Sequence, residues 1–263
     1  MIRLVHMLRR APSLSEREFA DIWRDENGPL VASFQTDLDI VRYLQLHPDP
    51  ACQGIDAAAA EARGGMLRPF DGIAEYWWKS ADALSAALSS VPGASAAGQL
   101  VQSESRFVDL AASPLWMATE YPQVATSLHR PVARARSNIM RLHFALRPPA
   151  ELGETEARRY WLEEHGPLIR SHSPARGLIA YNQVHRCDSA LASAFASPRG
   201  TTAEPFLGHA ESWFERPSGQ KPLPEQQAAM DAAIADERQF IDCAASTILV
   251  GNEFVFVDRE WAL

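Results

Sequence analysis

The sequence has no apolar run long enough to span a bilayer. Its longest stretch free of charge and strong polarity towards the C-terminus is CAASTILVG (243–251), well short of the roughly 20 residues a membrane helix needs. It has no Cys-x-x-Cys pair. Cys52, Cys187 and Cys243 are odd in number and far apart, which speaks against a disulfide framework or a zinc site and fits reduced thiols in a cytoplasm. It has no dense Lys/Arg patch, and its net charge is −8, which argues against nucleic acid or an anionic membrane as partner. A Gly-rich phosphate loop, a serine nucleophile elbow and a Rossmann fingerprint are all missing, so nucleotide and serine-hydrolase chemistry have no motif to rest on. The first ten residues carry Arg3, Arg9 and Arg10 but no extended apolar run with a cleavage site, so a signal peptide is not expected. What remains is a chain of 263 residues, 46% apolar and 22% charged, the composition of a globular, cytoplasmic protein able to bury a sizeable core.

What is present is written twice. WRDENGPLV (23–31) returns as WLEEHGPLI (161–169), an offset of 138. At the same offset Arg3, Leu4, Leu8 and Arg9 match Arg141, Leu142, Leu146 and Arg147, and Tyr43, Gln45 and His47 match Tyr181, Gln183 and His185. Gly72, Glu75 and Trp77 match Gly208, Glu211 and Trp213 at 136, and FVDLAAS (107–113) matches FIDCAAS (240–246) at 133. Ordered blocks with small changes of offset mean duplication, with length differences confined to loops.

Each copy follows one grammar. A strand (2–10, or 139–147) precedes an amphipathic helix with Phe19, Ile22 and Trp23, or Ala157, Tyr160 and Trp161, at helical spacing. Ser15 and Glu18 form a capping box that the second copy lacks. Gly-Pro closes or restarts the helix. A second strand leads into a loop rich in small residues (48–69, or 187–205), a third strand and an Ala-rich helical stretch follow, and a last strand ends the unit. This β-α-β-β-α-β order is that of a ferredoxin-like unit, whose sheet carries helices on one face and is bare on the other. The expected organisation is an α+β chain of two such units, residues 1–121 and 139–263, joined by a Pro- and Arg-containing linker, 122–138. Each unit would cover the other's bare sheet, so a single chain makes a complete barrel, with further homodimerisation left open.

The ordered set W-x-x-x-H-G-P-L, Y-x-Q-x-H and F-I-D-x-x-x-S resembles an EthD domain, and the chain resembles two in tandem. The resemblance covers nearly the whole chain apart from the linker and the two loops. It implies a dimeric α/β barrel, here within one polypeptide, with two sheets packed around an apolar cavity. The family is linked to degradation of an ether fuel additive. Relatives in fungal polyketide pathways are described as dehydratases or decarboxylases that work without metal or organic cofactor.

Strand alternation sorts side chains by face. With the Leu face of strand two given to the helices, the expected interior from the second copy is His143, Tyr181, Gln183, His185, His209, Glu211 and Trp213, with His165 at a helix end near the mouth. The first copy carries Val5, Tyr43, Gln45, His47, Ile73, Glu75, Trp77 and Asn27 at these positions. Three histidines of the second copy are thus Val, Ile and Asn in the first. Since His titrates near neutral pH, the second half is expected to be the chemical side, and the first half scaffold and lid. His165, His185, Glu211, His143 and His209 are the catalytic candidates; Tyr43, Gln45, His47, Glu75, Trp77, Tyr181, Gln183 and Trp213 are the substrate-binding ones.

His165, at the negative end of a helix, would favour its protonated form; alternatively it only caps the last carbonyls, as Asn27 could. Glu211 and Glu75 are either acid–base groups or partners of Arg141 and Arg3. The tyrosines either hold a substrate oxygen or pack. Trp23 and Trp161 read as core, and Trp77 and Trp213 as platforms for a flat ligand. His143, His185, His209 and Glu211 are of zinc- or iron-binding type but lie on three strands without short ligand spacing, so no metal and no cofactor is expected. The expected activity is oxidation, dehydration or decarboxylation of a small hydrophobic, aromatic or polyketide-like carbonyl compound; the alternative is a barrel that binds such a molecule without chemistry.

Overall fold

The computed structural model describes residues 1–217 and 221–259; positions 218–220 and 260–263 of the second expected unit lie outside the described residues. The first half runs β1 (Ile2–Leu8), α1 (Glu16–Ile22), α2 (Gly28–Ser33), β2 (Arg42–Pro48), α3 (Gln53–Glu61), β3 (Gly72–Trp78), α4 (Ala81–Ser89), α5 (Val91–Glu104) and β4 (Leu115–Ala125). The second runs β5 (Ile139–Leu146), α6 (Glu154–Tyr160), α7 (Gly166–Arg176), β6 (Leu178–Arg186), α8 (Ala190–Arg199), β7 (Gly208–Glu215), α9 (Pro224–Glu237) and β8 (Thr247–Asp258). Among the described residues no helix is long and apolar enough to cross a membrane. Ser15 caps α1 in the expected box with Glu18, and α6 starts at Gly153 without a side-chain cap.

Each half is a four-stranded antiparallel sheet, β4-β1-β3-β2 and β8-β5-β7-β6, and the two close into one barrel. β2 pairs with β8 and β4 with β6, so among the described residues no sheet edge is left to template association. Pro122, Val124 and Ala125 already pair with β6, so the segment without regular pairing between the halves begins after β4.

Among the described residues the barrel interior is filled by side chains. One end is filled by an apolar cluster that includes Val5, Met7, Leu46, Ile73, Trp116 and Phe206. The other is filled by charged residues and covered by the connecting segment: Ala133 is fully buried, its N–H donates to Glu253 Oε2 (2.7 Å), and its carbonyl accepts from the Glu253 N–H (2.6 Å).

The helices lie outside the barrel, over two separate cores. α3, which belongs to the first half, packs Ile55 and Ala59 on the core of the second. α8, which belongs to the second, packs Leu191, Phe195 and Ala196 on the core of the first. Matching ion pairs fasten the exchanged arms. Arg63 binds both carboxylate oxygens of Glu237 (2.7 and 2.9 Å), and Arg199 binds both of Glu104 (2.7 and 3.0 Å). These bidentate pairs are buried, and bidentate geometry is the strong form of the arginine–carboxylate contact.

Candidate active site

The inward residues of β1, β3, β5 and β7 form an ion network. Arg3 donates to Glu75 and Glu211, and Arg141 donates to Glu75 (2.7 Å), Glu211 (2.6 Å) and Glu253 (2.8 Å). Burial pushes both Glu75 and Glu211 up, but Arg141 and Arg3 more than offset it and hold both carboxyls well below the usual range. Of the two roles expected for these glutamates, the structure therefore shows the ion pair; neither is poised to carry a proton near neutral pH. Trp77 and Trp213 are covered by Arg3 (4.4 Å to the ring centre) and Arg141 (5.1 Å), so their faces are taken up by guanidinium groups rather than open to a flat ligand. His143 stacks on His209 (4.0 Å, 16°), and burial keeps it neutral far below its ordinary pKa. His209 Nε2 lies 3.0 Å from Glu211 Oε1.

Glu75, His143 and His209 each bring one possible ligand atom within 4.8 Å of the others. The donor set suits a cation poorly. Two arginines already neutralise the carboxylate, and rings stacked in parallel planes do not aim their nitrogens at one point. His185, expected in such a cluster, is on the other side of the sheet.

The Tyr-x-Gln-x-His strands reverse the expected faces. Leu44, Leu46, Asn182 and Val184 share the inward face with Glu75, Ile73, Glu211 and His209 across the sheet. Tyr43, Gln45 and His47, like Tyr181, Gln183 and His185, turn outward to the helices. The reason is a backbone carbonyl with a geometry that needs a second donor. Between α1 and α2, and between α6 and α7, one π-turn (Trp23–Asn27, Trp161–His165) keeps the helix continuous. Pro29 and Pro167 have no N–H for the i−4 carbonyl, and a widened turn accommodates them. Gly28 and Gly166 donate to Trp23 O and Trp161 O instead. Gln45 and Gln183 donate Nε2 to the same carbonyls (2.8 and 2.7 Å). His47 and His185 donate from Nε2 to the Gln oxygen (2.8 and 3.1 Å) and stack on Trp23 and Trp161, both at 4.2 Å. Burial holds both histidines neutral, at about 3. The motif is therefore a clamp on the π-turn, made twice. The tryptophans reach the strands because Gly72 and Gly208 leave room: a Cβ at Gly72 would lie 2.1 Å from the Trp23 ring, and one at Gly208 3.1 Å from the Trp161 ring.

His165 accordingly does not end a helix. Its partner is a side chain that strand and motif reasoning missed. Nδ1 lies 2.7 Å from Asp236 Oδ2, and Asp236 Oδ1 accepts from the Tyr160 hydroxyl (2.8 Å). Burial raises Asp236, but the hydrogen bonds from His165 and Tyr160 hold its carboxyl below the usual range, so it is ionised and fixes the proton on Nδ1. Nε2 has no hydrogen bond to the protein among the described residues and is the basic nitrogen.

That imidazole lines a cavity of about 440 Å³ between the outer face of β5–β7 and helices α3, α7 and α9. Leu142, Phe144, Phe214 and Ile234 make it apolar; Tyr181 and Ser212 add two hydroxyls. Burial pushes Tyr181 up to about 12, so it remains a neutral donor.

The first half shows what this site is without its chemistry. Its corresponding cavity is about 320 Å³. Asn27 takes the place of His165 and bonds Ser103 Oγ (3.2 Å), and Ser103 is the counterpart of Asp236 at the offset of 133. Ile22, Tyr76 and Trp78 stand for Tyr160, Ser212 and Phe214. The paired change from Asn–Ser to His–Asp was readable in the aligned copies, although Ser103 and Asp236 lie outside the motifs that reveal the repeat. His165 and Tyr181 come together here; Gln183 and His185 lie on the same side of the sheet, clamped to the π-turn, and do not line the cavity. His143, His209, Glu211, Trp213, Glu75 and Trp77 are separated from them by the sheet, and Tyr43, Gln45 and His47 lie in the other half.

Two ferredoxin-like units fused into a closed eight-stranded barrel, with ligand-sized space between sheet and helices, define a pseudo-dimeric α/β-barrel protein. The chain belongs to the EthD family: it matches the EthD domain over residues 11–125 and again over 149–244, one domain per half. A search of curated proteins returns no match. Solved structures similar over nearly the whole chain include a candidate monooxygenase from Lactobacillus acidophilus (10% identity, 98% of this chain and 96% of that one, TM-score 0.48). Others are a candidate monooxygenase from Fusobacterium nucleatum (6%, 97% and 93%, 0.47) and a candidate chlorite dismutase (12%, 96% and 94%, 0.46). At such identity these names describe those proteins alone.

Proposed function

We propose that the second-half cavity binds a small hydrophobic carbonyl compound and that His165 moves a proton on it. The observation that supports this reading is convergence. Four polar differences between the copies, His165 and Asp236 for Asn27 and Ser103, Tyr160 for Ile22 and Ser212 for Tyr76, fall on one cavity and its rim, whereas His143 and His209, which stand for Val5 and Ile73, face the barrel interior. A duplicated scaffold that had diverged only to keep its core would scatter such changes.

The arrangement suits removal of a proton from the carbon beside a carbonyl. Nε2 takes the proton, Asp236 stabilises the imidazolium that forms, and Tyr181 or Ser212 donates to the carbonyl oxygen as it gains charge. For a β-hydroxy carbonyl compound, His165 then returns the proton to the departing hydroxyl. The C–H and C–O bonds break, a C=C bond forms, and water leaves. Of the three expected reactions, dehydration is the one a lone histidine–aspartate pair completes within itself.

The test is exchange of the α-protons of 4-phenyl-2-butanone in D₂O, followed by NMR. The wild-type protein should accelerate exchange, and His165→Asn, the residue of the first half, should lose 10²–10⁴-fold, the usual contribution of a general base, while still binding the ketone. Equal exchange in the variant would remove His165 from the mechanism. Binding without exchange in either protein would leave a ligand-binding barrel without chemistry.

A further inference from the structure

One charged group in this cavity is unmatched. Arg176, the last residue of α7, lines it. Its Nε is shut off from solvent and makes no hydrogen bond, and Nη2 meets only the Met230 sulfur at 4.0 Å. Among the described residues no carboxylate pairs with it. Glu237, the acidic group on the same wall, has both oxygens held by Arg63. The buried or half-buried arginines Arg3, Arg42, Arg141, Arg63 and Arg199 each have a carboxylate in contact. The first half has Leu38 at this position, a buried residue lining its own smaller cavity. The register is fixed by the next residue, because Asp39 and Gly177 both adopt the left-handed conformation (φ 50° and 63°). Burial disfavours the Arg176 charge. A cation without a partner in apolar surroundings is costly, so its presence where the sister copy keeps a leucine calls for an anion from outside.

We propose that Arg176 anchors the ligand of this cavity, and that the ligand is an elongated hydrophobic monocarboxylate. This rests on the reading of the cavity as the binding site. A carboxylate matches the planar fork of a guanidinium, which offers two parallel N–H donors. One negative charge suffices, because the cavity's other guanidinium, Arg63, is already neutralised by Glu237. The elongation follows from the helix. His165 and Arg176 stand eleven positions apart in one continuous helix, roughly 16 Å along its axis. The anchor and the base therefore serve opposite ends of the ligand. The carboxylate is a handle, and it is not the group that leaves.

Calorimetric titration with 6-phenylhexanoate and with its methyl ester at neutral pH tests this. The wild-type protein should bind the acid roughly ten- to a hundredfold more tightly than the ester, the range a hydrogen-bonded charge supplies. Arg176→Gln should erase the difference and leave ester binding within about twofold. Arg176→Lys, which keeps the charge without the fork, should retain a reduced preference and covers the case in which the glutamine variant does not fold. A wild-type protein that binds both probes equally would overturn the anchor and leave the cavity reading intact. A preference that survives in folded Arg176→Gln would overturn it too. If neither probe binds the wild-type protein, the cavity is not the site and the anchor falls with it.

Discussion

Replacing Ser212 by tyrosine should close the site and stabilise the protein together. Ser212 faces Tyr181 across the β6–β7 pair, as Tyr76 faces Tyr43 across β2–β3. In the first half those two rings stack at 4.5 Å and 24°. The substitution therefore places a ring in a geometry the scaffold already accepts, in space that is empty. A stacked pair contributes about 0.5–1.5 kcal/mol beyond burial of its area. With the ordering of one side chain set against the added apolar burial, a net gain of about 1–2 kcal/mol is expected. For a chain of this size each kcal/mol moves Tm by about 2–4 °C, so Ser212→Tyr should melt about 2–8 °C higher. Differential scanning fluorimetry reads that shift, and titration with 6-phenylhexanoate should show affinity lower by at least tenfold. Increased Tm with undiminished binding would place the ligand elsewhere. Decreased Tm would mean that the second half does not hold open the space its sister fills.

Two further outcomes concern stability. His6 is held by burial at about 4, His47 and His185 at about 3, and His143 well below its ordinary value. All four are neutral when folded but protonate near 6.5 when unfolded. Their contribution is thus whole above pH 6.5 and is lost as pH falls towards the folded values, each by up to about 1.4 kcal/mol per pH unit. Urea midpoints should drop steeply between pH 6.5 and 4; a flat profile would contradict the buried, neutral histidines. Glu75→Ala and Glu211→Ala should destabilise alike, by about 3–5 kcal/mol, because each leaves the same two buried arginines short of a partner. Glu156→Ala, at a solvent-screened pair with Arg159, should leave the urea midpoint nearly unchanged. Markedly unequal losses at the two interior glutamates would refute the shared network.

The repeat made the fold legible: blocks at offsets of 138, 136 and 133 fix two like units, and two like units with one bare sheet face each close on one another. The inward faces of β5 and β7 were legible too: Leu142, Phe144 and Leu146 mark the helix side of β5, and alternation sets His209, Glu211 and Trp213 together on β7. Strand two was not. In a closed barrel with helices outside, β2 and β6 are buried on both faces, so alternation separates two sets of side chains without saying which is inside. The polar set goes outward, where Gln45 and Gln183 give the π-turn carbonyls of Trp23 and Trp161 a second donor beside the glycine N–H groups. The cavity beside His165 escaped for a related reason. Its makers, Ser212 and Phe214 on one side and Asp236 and Arg176 on the other, are meaningful only by comparison with Tyr76, Trp78, Ser103 and Leu38, and lie outside the motifs that reveal the repeat.

The exchanged arms bear on why both copies persist. α3 roofs the cavity of the half to which it does not belong, so the first copy can lose every proton-carrying group of its own and still be indispensable to its sister's site. Neither copy is free to be deleted, yet one is free to drift. Duplication followed by mutual roofing thus turns a symmetric pair, with two equivalent sites, into a division of labour from which the chain cannot easily return.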